Sequence, residues 1–157
     1  LARVGRPTEA AEATRLDALV EALASEYEDL GQPVTLGETE RIVAPVRAMW
    51  IRRALRNLIG NAVRYASGAT IALERRGTDA VFTVTDDGPG IPDADLAAML
   101  EPFSRGEASR NRTTGGAGLG LALARAAAHQ HGGSLTLANR AEGGLQAALT
   151  IPIPART

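Results

Sequence analysis

Residues 46–85 read VRAMWIRRALRNLIGNAVRYASGATIALERRGTDAVFTVT, and the change of period inside this stretch decides the fold. In its first half Trp50, Ile51, Ala54, Leu55, Leu58, Ile59 and Ala62 recur at helical spacing, which predicts a helix from about Val46 to Ala66. Ser67-Gly68 ends it. In the second half Thr70–Glu74 and Ala80–Thr85 alternate as strands do, with Gly77-Thr78-Asp79 between them as a hairpin turn.

Working upstream, Leu16, Leu19, Val20, Leu23, Tyr27 and Leu30 mark another helix, with Thr14 as its candidate cap and Gly31 and Pro33 as its stop. Short strands are expected at Val34–Leu36 and Arg41–Val43. Residues 1–12, with Gly5 and Pro7, read as a linker or the tail of an upstream helix, and 13–157 as the domain itself. Downstream of Thr85 come a glycine-rich loop and a short helix near Asp93–Leu100, where Asp93 and Asp95 serve the first turn. Residues 102–118 are polar and without period, which predicts a mobile loop. A helix from about Leu119 to His131 then stops at Gly132-Gly133. Ser134–Asn139 and Leu145–Ile151 form a second hairpin around Glu142-Gly143-Gly144, and Pro152 and Pro154 close the domain. The sum is an α/β two-layer sandwich, a mixed sheet covered on one face by helices.

Composition narrows the chemistry. The 157 residues suit one domain, and 45% hydrophobic content suffices for a core. A net charge of -1 gives no bulk attraction to nucleic acid or an anionic membrane. All 17 basic residues are arginine. Without lysine there is neither a P-loop, whose turn ends in Gly-Lys, nor a Schiff-base amine. Without cysteine there is neither a disulfide framework nor a thiolate metal site. No apolar run approaches the ~20 residues of a membrane helix, and no signal-peptide pattern is visible. With Leu1 at its start, the chain reads as a piece of something longer.

Three segments carry candidate chemistry. In Asn57-Leu-Ile-Gly-Asn61-Ala-Val-Arg64-Tyr65, residues Asn57, Asn61 and Tyr65 fall on one helix face. An amide carbonyl is a hard oxygen ligand suited to Mg²⁺, Arg64 can reach a phosphate, and Tyr65 offers a ring for stacking. Taken alone, such a face is also what a solvated helix surface looks like. Asp86-Asp87-Gly88-Pro89-Gly90-Ile91 follows a strand. Its glycines let backbone approach a flat ligand, and a carboxylate at a strand end can accept from an exocyclic amine, reading adenine and rejecting guanine. Alone, the same residues spell a turn. Gly115-Gly116-Ala117-Gly118-Leu119-Gly120-Leu121 opens a helix, where free N–H groups and the helix dipole favour anions. It follows a loop and not a strand, so it is not a dinucleotide fingerprint. The bland alternative is a hinge before a helix.

In this order and spacing the three segments resemble the N, G1 and G2 boxes of the GHKL ATPase superfamily, which includes histidine kinases, gyrase and MutL. Glu101-Pro102-Phe103-Ser104-Arg105-Gly106 resembles the F box between G1 and G2. The resemblance runs from about Leu16 to Pro152 and is strongest to the catalytic domains of sensor histidine kinases, relatives of the osmosensor EnvZ among them. It implies the Bergerat ATP-binding fold, with ATP and Mg²⁺ as cofactors.

The resemblance also assigns roles. Asn61 would coordinate Mg²⁺, with Asn57 supporting it or binding phosphate. Arg64, where lysine is more usual, would contact the phosphates with a different donor geometry. Tyr65 would cover the adenine, Asp86 would accept from its amine, and Gly88, Gly90 and Ile91 would make room for it. Gly116, Gly118, Leu119 and Gly120 would wrap the triphosphate, and Phe103 would anchor the lid. Arg105 and Arg110 are candidates for the γ-phosphate, though lid arginines are often simply solvated.

Gyrase-like hydrolases carry a glutamate four residues before the metal-binding asparagine, as the base that activates water. Here that position is Asn57, and an amide cannot take that proton. The resemblance therefore implies a kinase that presents its γ-phosphate to a histidine on a separate helical dimerisation domain, with a response regulator downstream. His129 and His131 end a helix and read as capping or packing residues, so the chain alone is expected to bind ATP without phosphorylating itself. It is expected to be monomeric and cytoplasmic, the whole protein lying in a bacterial inner membrane. A nucleotide-gated switch without catalysis and a GHKL ATPase are the alternatives. Trp50 reads as core, and Arg52-Arg53-Arg56 as a solvated face.

Overall fold

The computed structural model describes residues 10–90 and 117–154, apart from the side chains of 64, 65 and 117–120. The expected helix at 93–100, the lid, and Ile91, Phe103, Arg105, Arg110, Gly115 and Gly116 lie outside the described residues.

The elements are β1 (Glu12–Arg15), α1 (Leu16–Asp29), β2 (Val34–Thr39), β3 (Val43–Val46), α2 (Ala48–Tyr65), β4 (Ala69–Arg76), β5 (Asp79–Asp86), α3 (Ala117–Gln130), β6 (Ser134–Asn139) and β7 (Leu145–Pro152). A five-stranded sheet runs β2-β4-β5-β7-β6. The β2–β4 pairing is parallel and the others are antiparallel, so the sheet is mixed, as expected. Directly opposed residues share a face, and here the pairs Ile71–Val84, Leu73–Phe82, Phe82–Leu149 and Ala80–Ile151 are all buried. That face meets the buried stripes of the three helices in one core with Leu23, Leu55 and Ile59. Truncating Phe82, fully buried at its centre, to alanine would cost about 3–5 kcal/mol. No described helix is long and apolar enough to cross a membrane.

Four local expectations change. Thr14 does not cap α1: it lies inside β1, its hydroxyl donating to the Glu12 carbonyl at 2.7 Å. The backbone there is extended because β1 pairs antiparallel with β3 in a separate two-stranded sheet, beginning at Glu12–Val46. Helix α1 starts instead at Leu16, whose N–H donates to the Ile42 carbonyl at 2.8 Å, and Asp17 in its first turn, 5% exposed, accepts from the Arg15 guanidinium at 2.5 Å. The Arg15 hydrogen bond holds the Asp17 carboxyl below its ordinary range, against the upward push of burial.

The strand placed at Arg41–Val43 is shifted to Val43–Val46, and α2 begins at Ala48, not Val46. Ile42, Ala44 and Val46 are buried while Val43 and Pro45 are exposed, so the period of two runs on through Val46. Helix α3 starts at Ala117, two residues early, and puts Gly118 and Gly120 in its first turn.

The topology gathers the three motifs at one end. Helix α2 runs into β4 through a three-residue connection, and Ala69 at the start of β4 faces Asp86 at the end of β5. Asn139 at the end of β6 faces Leu145 at the start of β7 at that same end. Helices α2 and α3 pack antiparallel, with His131 beside Arg47 at the far end. At 1.5 Å rise per residue, the first residue of α3 lies roughly level with Asn61.

Candidate functional site

Helix α2 separates its sides sharply. Leu55, Leu58, Ile59 and Ala62 are buried in the core. Asn57 and Asn61 lie one turn apart and are half-buried, and the Nδ2 of each is buried with no hydrogen-bond partner among the described residues. An unpartnered buried amide costs about 1–3 kcal/mol, and native structures seldom keep two side by side without a use for them. Each amide carries a donor nitrogen and an acceptor oxygen on one planar group, exchanged by a half-turn about its last bond. The pair therefore fits a phosphate oxygen, which takes a donor, and a hard cation, which takes the oxygen. No cluster of three or more His, Asp or Glu among the described residues could hold a metal by itself.

Of the Arg52-Arg53-Arg56 face, Arg53 is exposed, but the other two have a partner. Arg52 and Arg56 both pair with Glu26 of α1, at 3.3 and 2.6 Å, and tie the two helices together. Trp50 packs against the core, as its place on the stripe implied.

The loop after β5 is built around Asp86. Its Oδ1 accepts from the Gly88 N–H at 2.9 Å and from the Leu145 N–H at 3.1 Å. One carboxylate oxygen thus joins the loop to the start of β7, and a carboxylate has acceptor capacity beyond those two bonds for an incoming amine. Ser67, just past α2, donates its hydroxyl to both oxygens of Asp87 at 2.8 and 2.7 Å. That bond holds the exposed Asp87 carboxyl below its ordinary range. Two glycines make the fit possible. Gly90 has φ +77°, and a Cβ there would lie 2.4 Å from Asn139 Oδ1; Gly144 has φ +97°, and a Cβ there would lie 2.0 Å from the Asp86 carbonyl oxygen. The Asp86 loop and the β6–β7 hairpin therefore meet backbone to backbone.

Ser67, Asn139 and Arg140 escaped the sequence reading. Arg140 donates through Nη1 to the Asp86 carbonyl at 2.8 Å and to the Gly143 carbonyl at 3.3 Å. The Glu-Gly-Gly turn beside it was visible, but its partner lies 54 residues away.

Of the residues expected at the site, the fold brings Asn57, Asn61, Asp86, Gly88 and Gly90 to one end, with the first turn of α3 and its Gly118 and Gly120. The backbone of Arg64 and Tyr65 continues the asparagine-bearing helix, and that of Leu119 lies in α3; their side chains are outside the description. His131 sits at the opposite end. Its Nδ1 lies 2.8 Å from the Ala127 carbonyl and its Nε2 accepts from the Arg47 N–H at 3.0 Å. It joins helix ends, in keeping with a capping and packing role.

Comparisons with known proteins agree with this geometry. Residues 47–155 match the family described as histidine kinase-, DNA gyrase B-, and HSP90-like ATPase. The sensor histidine kinase GtrS of Pseudomonas aeruginosa is 36% identical over 141 residues, 90% of this chain and 29% of that protein. The chain spans less than a third of that curated relative's length. The solution structure of the histidine kinase domain of the E. coli osmosensor EnvZ superposes with a TM-score of 0.74 at 27% identity, covering 97% of this chain and 94% of that one. Full-length ShkA, crystallised with AMPPNP, shares the fold with a TM-score of 0.77 at 21% identity, over 99% of this chain and 34% of that one. By this match and by its fold, the chain is a member of the histidine kinase-, DNA gyrase B- and HSP90-like ATPase family.

Proposed function

We propose that this chain is the ATP-binding catalytic domain of a two-component sensor histidine kinase, transferring the γ-phosphate of Mg-ATP to a histidine on a helical domain elsewhere in the same protein. One observation carries the reading: two buried amide nitrogens on α2, without partners among the described residues, at the end of the sandwich where the Asp86 loop and the first turn of α3 also lie. The Asp86 loop suits a purine with an exocyclic amine. The N–H groups of the α3 first turn suit phosphate oxygens. Asn61 would hold Mg²⁺ and Asn57 would steady it or a phosphate; Arg64, Tyr65, Ile91, Phe103, Gly116, Gly118, Leu119 and Gly120 keep the roles their motifs imply. Magnesium, when bound, supplies charge neutralisation across the phosphates.

Catalysis in such a site is positioning and electrostatics, and the base that would activate water is replaced by an amide at Asn57. The whole protein would supply the helical domain joined through residues 1–12, with its phosphoaccepting histidine, a membrane anchor and the contact with a response regulator. ShkA's complex with an ATP analogue supports adenine nucleotide as the ligand. Calorimetry with Mg-ATP, followed by phosphoryl transfer to the histidine-bearing hairpin of the full-length protein, tests this. Binding with transfer and slow hydrolysis is expected. Binding without transfer favours a nucleotide-gated switch, fast steady-state hydrolysis favours an ATPase, and no affinity at millimolar ATP removes the reading.

A further inference from the structure

Asp86 serves as an adenine acceptor only if its carboxylate stands at a fixed place, and a residue at a strand end is free on one side. Its position rests on the β6–β7 hairpin. The Arg140 N–H donates to the Gly144 carbonyl at 2.8 Å and the Gly143 N–H to the Arg140 carbonyl at 3.0 Å, so Arg140 closes the turn through its own backbone. Its guanidinium then reaches out of the turn to the Asp86 carbonyl at 2.8 Å, holds the Gly143 carbonyl at 3.3 Å, and lies 3.6 Å from the Glu142 carboxylate. The side chain is three-quarters covered, whereas Glu142 is largely exposed. One planar fork thus links the turn to the last peptide of β5, while Leu145 N–H takes the carboxylate of the same aspartate.

We propose that Arg140 is a positioning residue for base recognition: it does not touch the nucleotide but sets the Asp86 carboxylate at the height where an exocyclic amine is read. This rests on the nucleotide-binding function proposed above. A change at Arg140 should therefore act on the base and spare the phosphates, which bind to α2 and the first turn of α3.

The test is calorimetry of the 157-residue chain with three magnesium-loaded probes: ATP, inosine triphosphate, in which an oxygen replaces the exocyclic amine, and tripolyphosphate, which has no base. The unmodified chain should prefer ATP to inosine triphosphate. Arg140→Met, which keeps much of the aliphatic stem and loses the fork, should weaken ATP by about tenfold and leave the other two within about twofold, so the preference collapses. Arg140→Lys should recover part of it. Equal weakening of all three probes, or an unchanged preference, overturns the proposal, because a merely structural role moves affinity without moving selectivity. If Arg140→Met does not fold, Arg140→Lys decides, and an undiminished preference in that variant overturns the proposal. No affinity of the unmodified chain for ATP would remove the function and this inference together; a selective parent whose selectivity survives Arg140→Met removes this inference alone.

Discussion

The first and second halves of α2 are built from one continuous helix and treated oppositely by the rest of the molecule. Near its start, polar groups are matched within the chain: the Arg47 N–H meets His131, and Arg52 and Arg56 share Glu26. Near its end, Asn57 and Asn61 keep buried nitrogens without partners among the described residues. Both stretches bury an apolar side, Ile51, Ala54 and Leu55 in the first and Leu58, Ile59 and Ala62 in the second. They differ in whether polar capacity is spent on folding or reserved. Mutations in the first half should therefore move stability, and those in the second should move ligand affinity, even with the opposite sign on stability.

The largest effect is expected at Asn61. Asn61→Leu should lower Mg-ATP affinity by about a hundredfold or more while the ligand-free chain melts at the same or a higher temperature, since an unpartnered amide is replaced by an apolar group. A lower melting temperature would show the amide to be structural and break the contrast. Next comes His131→Phe, which should cost about 1–2 kcal/mol in denaturant unfolding by orphaning the Arg47 N–H, and leave ATP affinity within about twofold.

Asp17→Asn sharpens the comparison through pH. The folded-state pKa of Asp17 is lowered, so its ionised form contributes stability that is complete above the unfolded value near ~3.9 and is lost as pH falls through the folded value. The variant should be less stable by about 1 kcal/mol at neutral pH, and the gap should close in acid, by thermal melts from pH 7 to 2. Smallest of all, Glu26→Gln should cost no more than about 0.5 kcal/mol, a loss that fades in high salt, because the clasp is about half exposed.

The sequence disclosed what depends on period and on neighbours a few residues apart. The apolar stripe of α2 and the alternation of β4 and β5 were legible because each residue's fate is set by its own helix or strand. Thr14 misled because an extended β1, stabilised by pairing across to β3, overrode a local capping preference. Asn57, Asn61 and Asp86 were expected at the site from their motifs. Ser67 and Arg140 were not, since a hydroxyl past a helix end and an arginine in a turn carry no signal until the chain brings Asp87 and Asp86 to them. The orphaned amide nitrogens also needed coordinates, because whether an asparagine is solvated or buried depends on what the fold lays beside it.

The imidazole that joins the start of α2 to the end of α3 gives the pair the mechanics of tweezers. The handle is pinned at Arg47, Ala127 and His131, and the tips are Asn61 and the opening turn of α3. Sliding one arm past the other by a helical turn, about 5.4 Å, would break the pin, so the helices keep their register. A ligand held between the amide face and that opening turn would then oppose splaying along both arms.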